Sequence, residues 1–247
     1  MGIILIGAGM VVGGIGLKEY LDEKNAGNDY VELKEDVAVP TAAPQPERQE
    51  EKEPLDIPVD FEKLKEKCSD IYAWIQIPGT DIDYPIVQRE GDNAYYLNHT
   101  IEGKEKIEGA IFTEDYNKRD FTDPHTVIYG HNMKNGSMFR QLHNYEDKKF
   151  LQENQEILIY QPDQILHYQI FAAYVYDNRH LMLSFDWNNP DIYAAYLDSI
   201  LEQKNMNATI DHSVSVTEQD KIVTLSTCNG NDDERYLVQA VLVSIEK

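Results

Sequence analysis

One five-residue stretch near the C-terminus, Thr224 to Cys228 (TLSTC), constrains this chain more than any other. It completes a short apolar run that starts at Ile222, and it brings a cysteine to the point where the pattern breaks into a polar turn, Asn229 to Glu234. Arg235 then opens a second alternating run of apolar residues. Two strands joined by a polar turn place the thiol and the guanidinium at one end of a sheet.

A third strand, far upstream, ends in a histidine. The segment Val127 to Asn132 (VIYGHN) runs apolar up to Tyr129, and Gly130 before His131 leaves room for a close approach of the backbone. A thiol is a useful nucleophile only as the thiolate, so Cys228 needs a nearby base. The other six histidines lack this combination; His125 and His143, for example, lie in turn-like or helix-like contexts. We therefore predict His131 as that base.

Arg235 is the predicted group for stabilising the oxyanion that forms during acyl transfer. Attack of a thiolate on an amide carbonyl creates an oxyanion, which a guanidinium stabilises by charge-assisted hydrogen bonds alongside a backbone N–H. Ser226 shares the period-2 face of Cys228, so it is a candidate contact for the peptide next to the scissile bond, whereas Thr227 points to the opposite face. We rank Ser226 above Thr227 as a substrate-binding residue.

Each of these residues also has a purely structural interpretation. A lone cysteine at a strand end is usually a small core residue, a histidine after glycine is usually a surface turn residue, and an arginine at the start of a strand is usually solvated. Cys68, the other cysteine, follows Phe61 and Leu64 at helical spacing and reads as a core residue. The joint pattern of Cys228, His131 and Arg235 is what favours catalysis.

The same residues, with further segments in the same order, resemble the sortases, the cysteine transpeptidases of Gram-positive cell surfaces, and class B sortases in particular. The likeness runs from residue 58 to the end and includes, besides TLSTC with Arg235 and YGHN, the segments 74–80, 84–88, 109–112 and 136–139. It implies that Cys228, His131 and Arg235 are catalytic and that Asn93 and Leu97 line a groove for the sorting signal. From the residues alone, Asn93 and Leu97 read equally well as a helix-terminal residue and a core leucine.

The pattern of short strands predicts a mainly β fold. Seven or eight strands with few, peripheral helices indicate a closed β-barrel, which the resemblance makes a sortase-type barrel. We expect a helix capped by Asp60 before the first strand, and a second helix from Asn189 or Pro190 to about Lys204, inserted between two strands near the active site. A short strand is expected over 213–216, ahead of the one that ends at Cys228.

The chain divides into three predicted parts. Residues 1–17 carry no charge before Lys18 and form a membrane anchor, truncated if the native start lies upstream of Met1, because a full span takes ~20 residues. Residues 18–57 are an acidic, Pro-containing linker, and 58–247 are the catalytic domain. We therefore predict a protein held in the cell membrane by a single N-terminal anchor, with its catalytic domain outside the cell.

Composition limits the partners. With 22 basic and 44 acidic residues the net charge is −22, which argues against nucleic acid as a partner. The acidity either attracts a positively charged amine or sorting-signal tail or serves only to keep the protein soluble. Two cysteines do not make a disulfide framework, and no Cys/His spacing indicates a metal site. We expect neither a metal nor a cofactor.

The resemblance implies cleavage of an NPxTN-like or related PxT(G/N) sorting signal after its threonine, a thioacyl enzyme on Cys228, and transfer to a peptidoglycan-precursor amine. Two alternatives stay open: a pilin-polymerising sortase with a lysine acceptor, and an inactive surface binding module in which Cys228 is inert or bonded to Cys68. One departure concerns the turn from Asn229 to Glu234, which is shorter than class B enzymes suggest. Its acidic run, residues 232–234, is also a candidate ion-pair partner for Arg235.

Overall fold

The computed structural model describes residues 17–18, 20–39, 55–205 and 207–247. In this part of the chain, no helix has the length and apolar character needed to cross a membrane. The predicted membrane anchor, residues 1–17, falls almost entirely outside the described residues.

Strands dominate the described chain. They are β1 (Ile71–Gln76), β2 (Asp83–Val87), β3 (Ile111–Thr113), β4 (His125–Tyr129), β5 (Glu156–Gln161), β6 (Gln164–Asp177), β7 (Thr209–Ile210), β8 (Ile222–Cys228) and β9 (Glu234–Glu246). The helices are α1 (Asn28–Val37), α2 (Phe61–Lys67), α3 (Lys148–Glu153), α4 (Leu181–Ser184) and α5 (Pro190–Leu201), with 3₁₀ helices at Tyr95–Leu97 and Arg140–Glu146.

Eight of these strands close into a barrel, which confirms the predicted fold. Their order is β5-β1-β2-β3-β4-β8-β9-β6, and β6 pairs back onto β5. The two-residue strand β7 is attached to the side of β6. Neighbours are antiparallel except for β2–β3 and β4–β8, which are parallel. The parallel pair β4–β8 matters for function because it brings the C-terminal ends of both strands to the same end of the barrel.

Strand β8 separates two apolar cores by the alternation of its side chains. Val223 and Leu225 belong to the core inside the barrel, whereas Ile222 belongs to a second core outside it, beneath α5. That second core is rich in aromatic side chains, including Trp187, Tyr193 and Tyr196. The inserted helix is therefore confirmed: α5 lies between β6 and β7, and it covers the outer face of the strands that carry the site.

The cap expected for the helix before the first strand, α2, is present. The side chain of Asp60 accepts hydrogen bonds from the N–H groups of Glu62 and Lys63, both at 3.1 Å, and so satisfies two of the donors that a helix start leaves unpaired. Phe61 and Leu64 are buried on one face of α2, as their spacing predicts. Cys68 packs partly buried against the same core.

Helix α1 packs onto the barrel, although the predicted division of the chain assigns it to the linker. Tyr30, Leu33 and Val37 are buried in the barrel core, and the Tyr30 hydroxyl donates to the carbonyl of Gly109 at 2.7 Å. Their i, i+3, i+7 spacing gives α1 an apolar stripe, and this stripe is buried against the barrel. The division of the chain at residue 58 itself stays a prediction.

The strand predicted over 213–216 is absent from the structure, where a turn at Ser213 leads into residues without regular secondary structure. The Asp211 side chain accepts from both the N–H and the hydroxyl of Ser213, at 2.9 and 2.6 Å, and its carbonyl accepts from the N–H of Val214 at 3.3 Å. Local bonds of this kind compete with strand pairing. The short strand of this region, β7, lies just upstream at Thr209–Ile210.

Candidate active site

Three strands deliver the predicted catalytic residues to one place. Tyr129 of β4 lies opposite Ser226 of β8, and Cys228, the last residue of β8, lies directly opposite Arg235 of β9. These neighbours enclose a small cavity of about 100 Å³. Its lining residues are Leu97, Phe112, Tyr129, Gly130, His131, Ser226, Thr227, Cys228 and Arg235.

The thiol of Cys228 is exposed and free, as a nucleophile must be. Cys68 is also free, and its Sγ lies 3.6 Å from the hydroxyl of Tyr96. No disulfide joins the two cysteines in the described chain. An inert, bridged Cys228 is therefore not the state that the structure shows.

His131 is oriented by the main chain of Leu97. Its Nε2 lies 2.7 Å from the Leu97 carbonyl oxygen, which only accepts, so Nε2 carries a proton and Nδ1 of the neutral ring keeps a lone pair. Gly130 is required just before it, because a Cβ there would lie 2.5 Å from Ile111 Cδ1 and 2.7 Å from the Phe139 ring. The close approach predicted at Gly130 is thus present.

The guanidinium of Arg235 is held by the turn that precedes it. Its Nη1 donates to the carbonyl oxygens of Asp232 at 3.2 Å and Glu234 at 2.8 Å. Among the described residues, Arg235 makes no ion pair within 4.0 Å, so the suggested pairing with the acidic side chains of 232–234 is not what holds it. The Glu234 carboxylate instead accepts from the side-chain amide of Asn229 at 2.7 Å.

Ser226 and Thr227 point in opposite directions, as the strand period predicts. Ser226 shares the outer face of β8 with Cys228 and lines both the small cavity and a larger neighbouring groove. The Thr227 side chain is 2 % exposed, and its Oγ1 is buried without a hydrogen-bond partner in the described structure. Ser226 is therefore the better placed of the two to touch a bound peptide.

The neighbouring groove continues from the small cavity and has a volume of about 320 Å³. Asn93 and Leu97 both line it, as the resemblance implies. Leu97 is 48 % exposed, so it is not the core leucine of the alternative interpretation. Asn93 is fixed by Asp115, through one bond from its amide at 2.8 Å and one to its carbonyl oxygen at 2.7 Å.

The sequence profile of the Sortase domain matches residues 75–243 of this chain. The chain belongs to the sortase family. Sortase B of Listeria monocytogenes is 34% identical over 188 residues, which are 75% of this chain and 73% of that protein. These matches identify the chain as a class B sortase, a cysteine transpeptidase.

Solved sortases have the same fold. Sortase B from B. anthracis, solved in complex with AAEK1, aligns with a TM-score of 0.74 at 26% identity and covers 91% of this chain and 99% of that one. The Staphylococcus aureus sortase B–substrate complex aligns with a TM-score of 0.66 at 29% identity, over 74% of this chain and 84% of that one.

Three groove residues of this sortase were missed from the sequence. Glu114 accepts from the Tyr129 hydroxyl at 3.0 Å, and its other oxygen lies 2.9 Å from Nε2 of His180. Burial, and the charge of Glu114 beside it, raise the pKa of Tyr129, so the phenol stays protonated and donates. Tyr129 belongs to the YGHN segment, so the strand pattern points to it. Glu114 and His180 carry no local signal, because a contact between residues far apart in the chain pairs them.

The described residues contain no group of three or more His, Cys, Asp or Glu side chains that is arranged to hold a metal ion.

Proposed function

We propose that this sortase cleaves an NPxTN-like or related PxT(G/N) sorting signal after its threonine and joins the cleaved protein to a cell-wall-precursor amine. The observation that carries this proposal is that Cys228, His131 and Arg235 line one cavity at the ends of three neighbouring strands. A similar protein, S. aureus sortase B, has been solved as a substrate complex.

In the acylation step, Cys228 is the nucleophile and His131 is the general base and acid. With Nε2 committed to the Leu97 carbonyl, Nδ1 is the nitrogen that takes the thiol proton. Sγ adds to the threonine carbonyl carbon, and Arg235, pre-oriented by two main-chain carbonyls, stabilises the oxyanion. The C–N bond then breaks, and the imidazolium returns its proton to the leaving amine.

In the transfer step, the same groups act in reverse. The acceptor amine attacks the thioester carbonyl, His131 takes a proton from the attacking nitrogen, and collapse of the intermediate expels the Cys228 thiolate. The new amide bond replaces the thioester, so atoms and charges balance without a cofactor. We propose a peptidoglycan-precursor amine as the acceptor.

The residues of the sorting signal that precede the threonine occupy the groove beside the cavity. Leu97 supplies an exposed apolar contact there, and Ser226 supplies a hydroxyl on the same face as the thiol. The segment before residue 18 is proposed to hold the enzyme in the cell membrane, with residues 58–247 outside the cell and facing the surface proteins that are its clients.

Mass spectrometry of the purified full chain tests this proposal. The chain is incubated with a library of NPxTN-type and PxT(G/N)-type peptides, and Cys228→Ala is incubated in parallel. We expect a thioacyl adduct on the wild type alone, at the mass of the peptide cleaved after threonine. His131→Ala and Arg235→Ala are expected to lower adduct formation by at least about 100-fold, since each removes a group needed in the transition state.

The acceptor is tested by adding amines to the preformed adduct. Release by a peptidoglycan-type amine and not by a pilin-type lysine peptide supports the anchoring role, and the reverse result supports the pilin-polymerising alternative. If no peptide gives an adduct although thiol titration finds Cys228 free, the catalytic proposal fails and an inert binding module takes its place.

A further inference from the structure

Two side chains from outside β8 lie within hydrogen-bond distance of the main-chain carbonyl oxygen of Cys228. The Asn132 side-chain amide donates to it from Nδ2 at 2.8 Å, and Nε2 of His143 lies 3.2 Å from the same oxygen. Neither residue lines the small cavity, so neither touches the reacting atoms. Both contact the main chain of Cys228 rather than its thiol.

Asn132 continues the hydrogen-bond ladder of the parallel pair β4–β8 past its end. The last main-chain bond runs from the N–H of Gly130 to the carbonyl of Ser226 at 3.1 Å. Two residues further along each strand, the Asn132 side chain takes the place of a main-chain donor and reaches the carbonyl of Cys228. A side chain therefore supplies the rung that holds the nucleophile.

The orientation of the Asn132 amide is itself determined by a cation. Arg140 donates from Nη1 to Asn132 Oδ1 at 3.1 Å, which leaves both hydrogens of Nδ2 for other acceptors. One of them meets the Cys228 carbonyl, and Nε2 of His143 lies 3.1 Å from the same nitrogen. The amide cannot flip without losing the bond from Arg140.

His143 is fixed on its other sides. Its Nδ1 lies 3.0 Å from a carboxylate oxygen of Glu146, and its ring stacks on Tyr236 with centroids 4.6 Å apart. A carboxylate only accepts, so Nδ1 carries a proton. The protonated ring also donates from Nε2 to the Cys228 carbonyl, whereas the neutral ring accepts at Nε2 from Asn132. In both forms the ring supports the group that holds Cys228.

We propose that Asn132 and His143 are positioning residues for the transpeptidation, a proposal that rests on Cys228 being the nucleophile. The strand ends at Cys228, and residues 230–233 beyond it are exposed, so pairing with Arg235 holds the nucleophile on one side alone. On the other side, Asn132 donates to the Cys228 carbonyl, and His143 supports it directly or through Asn132. Holding that carbonyl fixes the plane of the Cys228–Asn229 peptide. The orientation of Sγ relative to the threonine carbonyl is thereby restricted as well.

Cleavage kinetics of the full chain test this proposal with the peptide that forms the thioacyl adduct on the wild type. Asn132→Ala and His143→Phe are expected to lower kcat by about 10-fold to 100-fold and to leave KM within about twofold, because aim matters in the transition state more than in binding. His143→Phe keeps a ring on Tyr236 but has no donor. His143→Gln restores an amide donor and is expected to recover most of the lost kcat.

The rate of Cys228 alkylation by iodoacetamide separates positioning from simple damage. This small reagent reacts with any thiolate, and its reaction forms no oxyanion. The rate of Cys228 alkylation is therefore expected to stay within about threefold of the wild-type rate in every variant. His212→Gln, at an exposed histidine, is the matched control, and thermal unfolding verifies that each variant is folded.

Three results would overturn the proposal: an unchanged kcat, a loss confined to KM, or a parallel loss of cleavage and alkylation. Failure of His143→Gln to recover more activity than His143→Phe would remove His143 from it. A wild type that forms no adduct fails at the earlier step, since Cys228 is then not a nucleophile, and the positioning role falls with it.

Discussion

A buried histidine stands at the beginning of β4, on the outer face of the barrel. His125 is 0% exposed, its Nε2 lies 2.6 Å from the hydroxyl of Thr224, and its ring meets Trp187 edge-on. Its Nδ1 is buried without a hydrogen-bond partner in the described structure. The turn-like or helix-like context predicted for His125 is wrong, because strand pairing with β8 extends back to this residue.

Burial lowers the pKa of His125 to about 3 from its ordinary 6.5. In the unfolded chain His125 binds a proton at a pH of about 6.5, whereas in the folded chain it stays neutral down to a pH of about 3. The unfolding free energy therefore decreases as the pH falls from about 6.5 toward 3. We expect the unfolding free energy of the wild type, relative to His125→Gln, to decline by up to about 1.4 kcal/mol per pH unit over that range.

Urea unfolding at several pH values between 7 and 4 measures this difference, and the difference between two variants cancels most other titrations. His212→Gln, at an exposed position, is the control and is expected to follow the wild type at every pH. A constant gap between wild type and His125→Gln would show that His125 takes up its proton as readily in the folded protein as in the unfolded chain.

At the scale of secondary-structure elements, helix α1 is packed against the barrel that carries the active site. The ring of Tyr30 meets Tyr84 of β2 edge-on at 5.7 Å, and Lys106 pairs with Asp29 at 2.8 Å. These contacts tie the helix to the barrel and to the loop before β3. A segment that serves only as a spacer has no need of them.

Leu33→Ala is expected to lower the unfolding free energy of the full chain by about 2–4 kcal/mol, because the Leu33 side chain is 5 % exposed and its removal leaves a cavity. Val31, on the same helix, is 61 % exposed, and Val31→Ala is expected to change the unfolding free energy by less than about 0.5 kcal/mol. Chemical denaturation measures both. Equal, negligible effects would mean that α1 is undocked in solution.

Whether a feature could be predicted from the sequence depends on how far apart in the chain the interacting residues are. Cys228, Arg235 and His131 could be predicted because each stands where an apolar run begins or ends, and neighbouring residues in the chain carry that signal. His143 was not, because its contact with Cys228 spans 85 residues and depends on a main-chain oxygen that any residue would supply. The same holds for the main-chain carbonyl of Leu97, which orients His131 although only the Leu97 side chain was predicted to belong to the site.

The docking of α1 was hidden for a related reason. Tyr30 and Leu33 stand in a segment rich in charged residues, and the prolines and glutamates after residue 39 drew the whole stretch into the predicted linker. An apolar stripe of three residues is too weak a signal against that composition. Only the shape of the barrel surface reveals where it fits.

At the scale of the whole molecule, the net charge of −22 acts on every charged substrate that approaches. Opposite charges steer association, and salt screens the attraction over about 10 Å at 0.1 M. For a sorting peptide with a basic C-terminal tail, we expect kcat/KM to fall by at least about threefold between roughly 20 and 500 mM NaCl. The same peptide with a neutral tail is the control, and parallel curves for the two would exclude steering.

The parallel pairing of β4 and β8 also sets when the thiol becomes reactive. Asn132 and Cys228 are 96 residues apart in the chain, and Arg235 comes later still, on the last strand. Contacts of such long sequence separation are slow to form, and a chain made from its N-terminus presents β8 and β9 last. We therefore expect a chain that lacks β8 and β9 to hold His131 without its catalytic partners, and cleavage to begin only after both strands have been made and have paired.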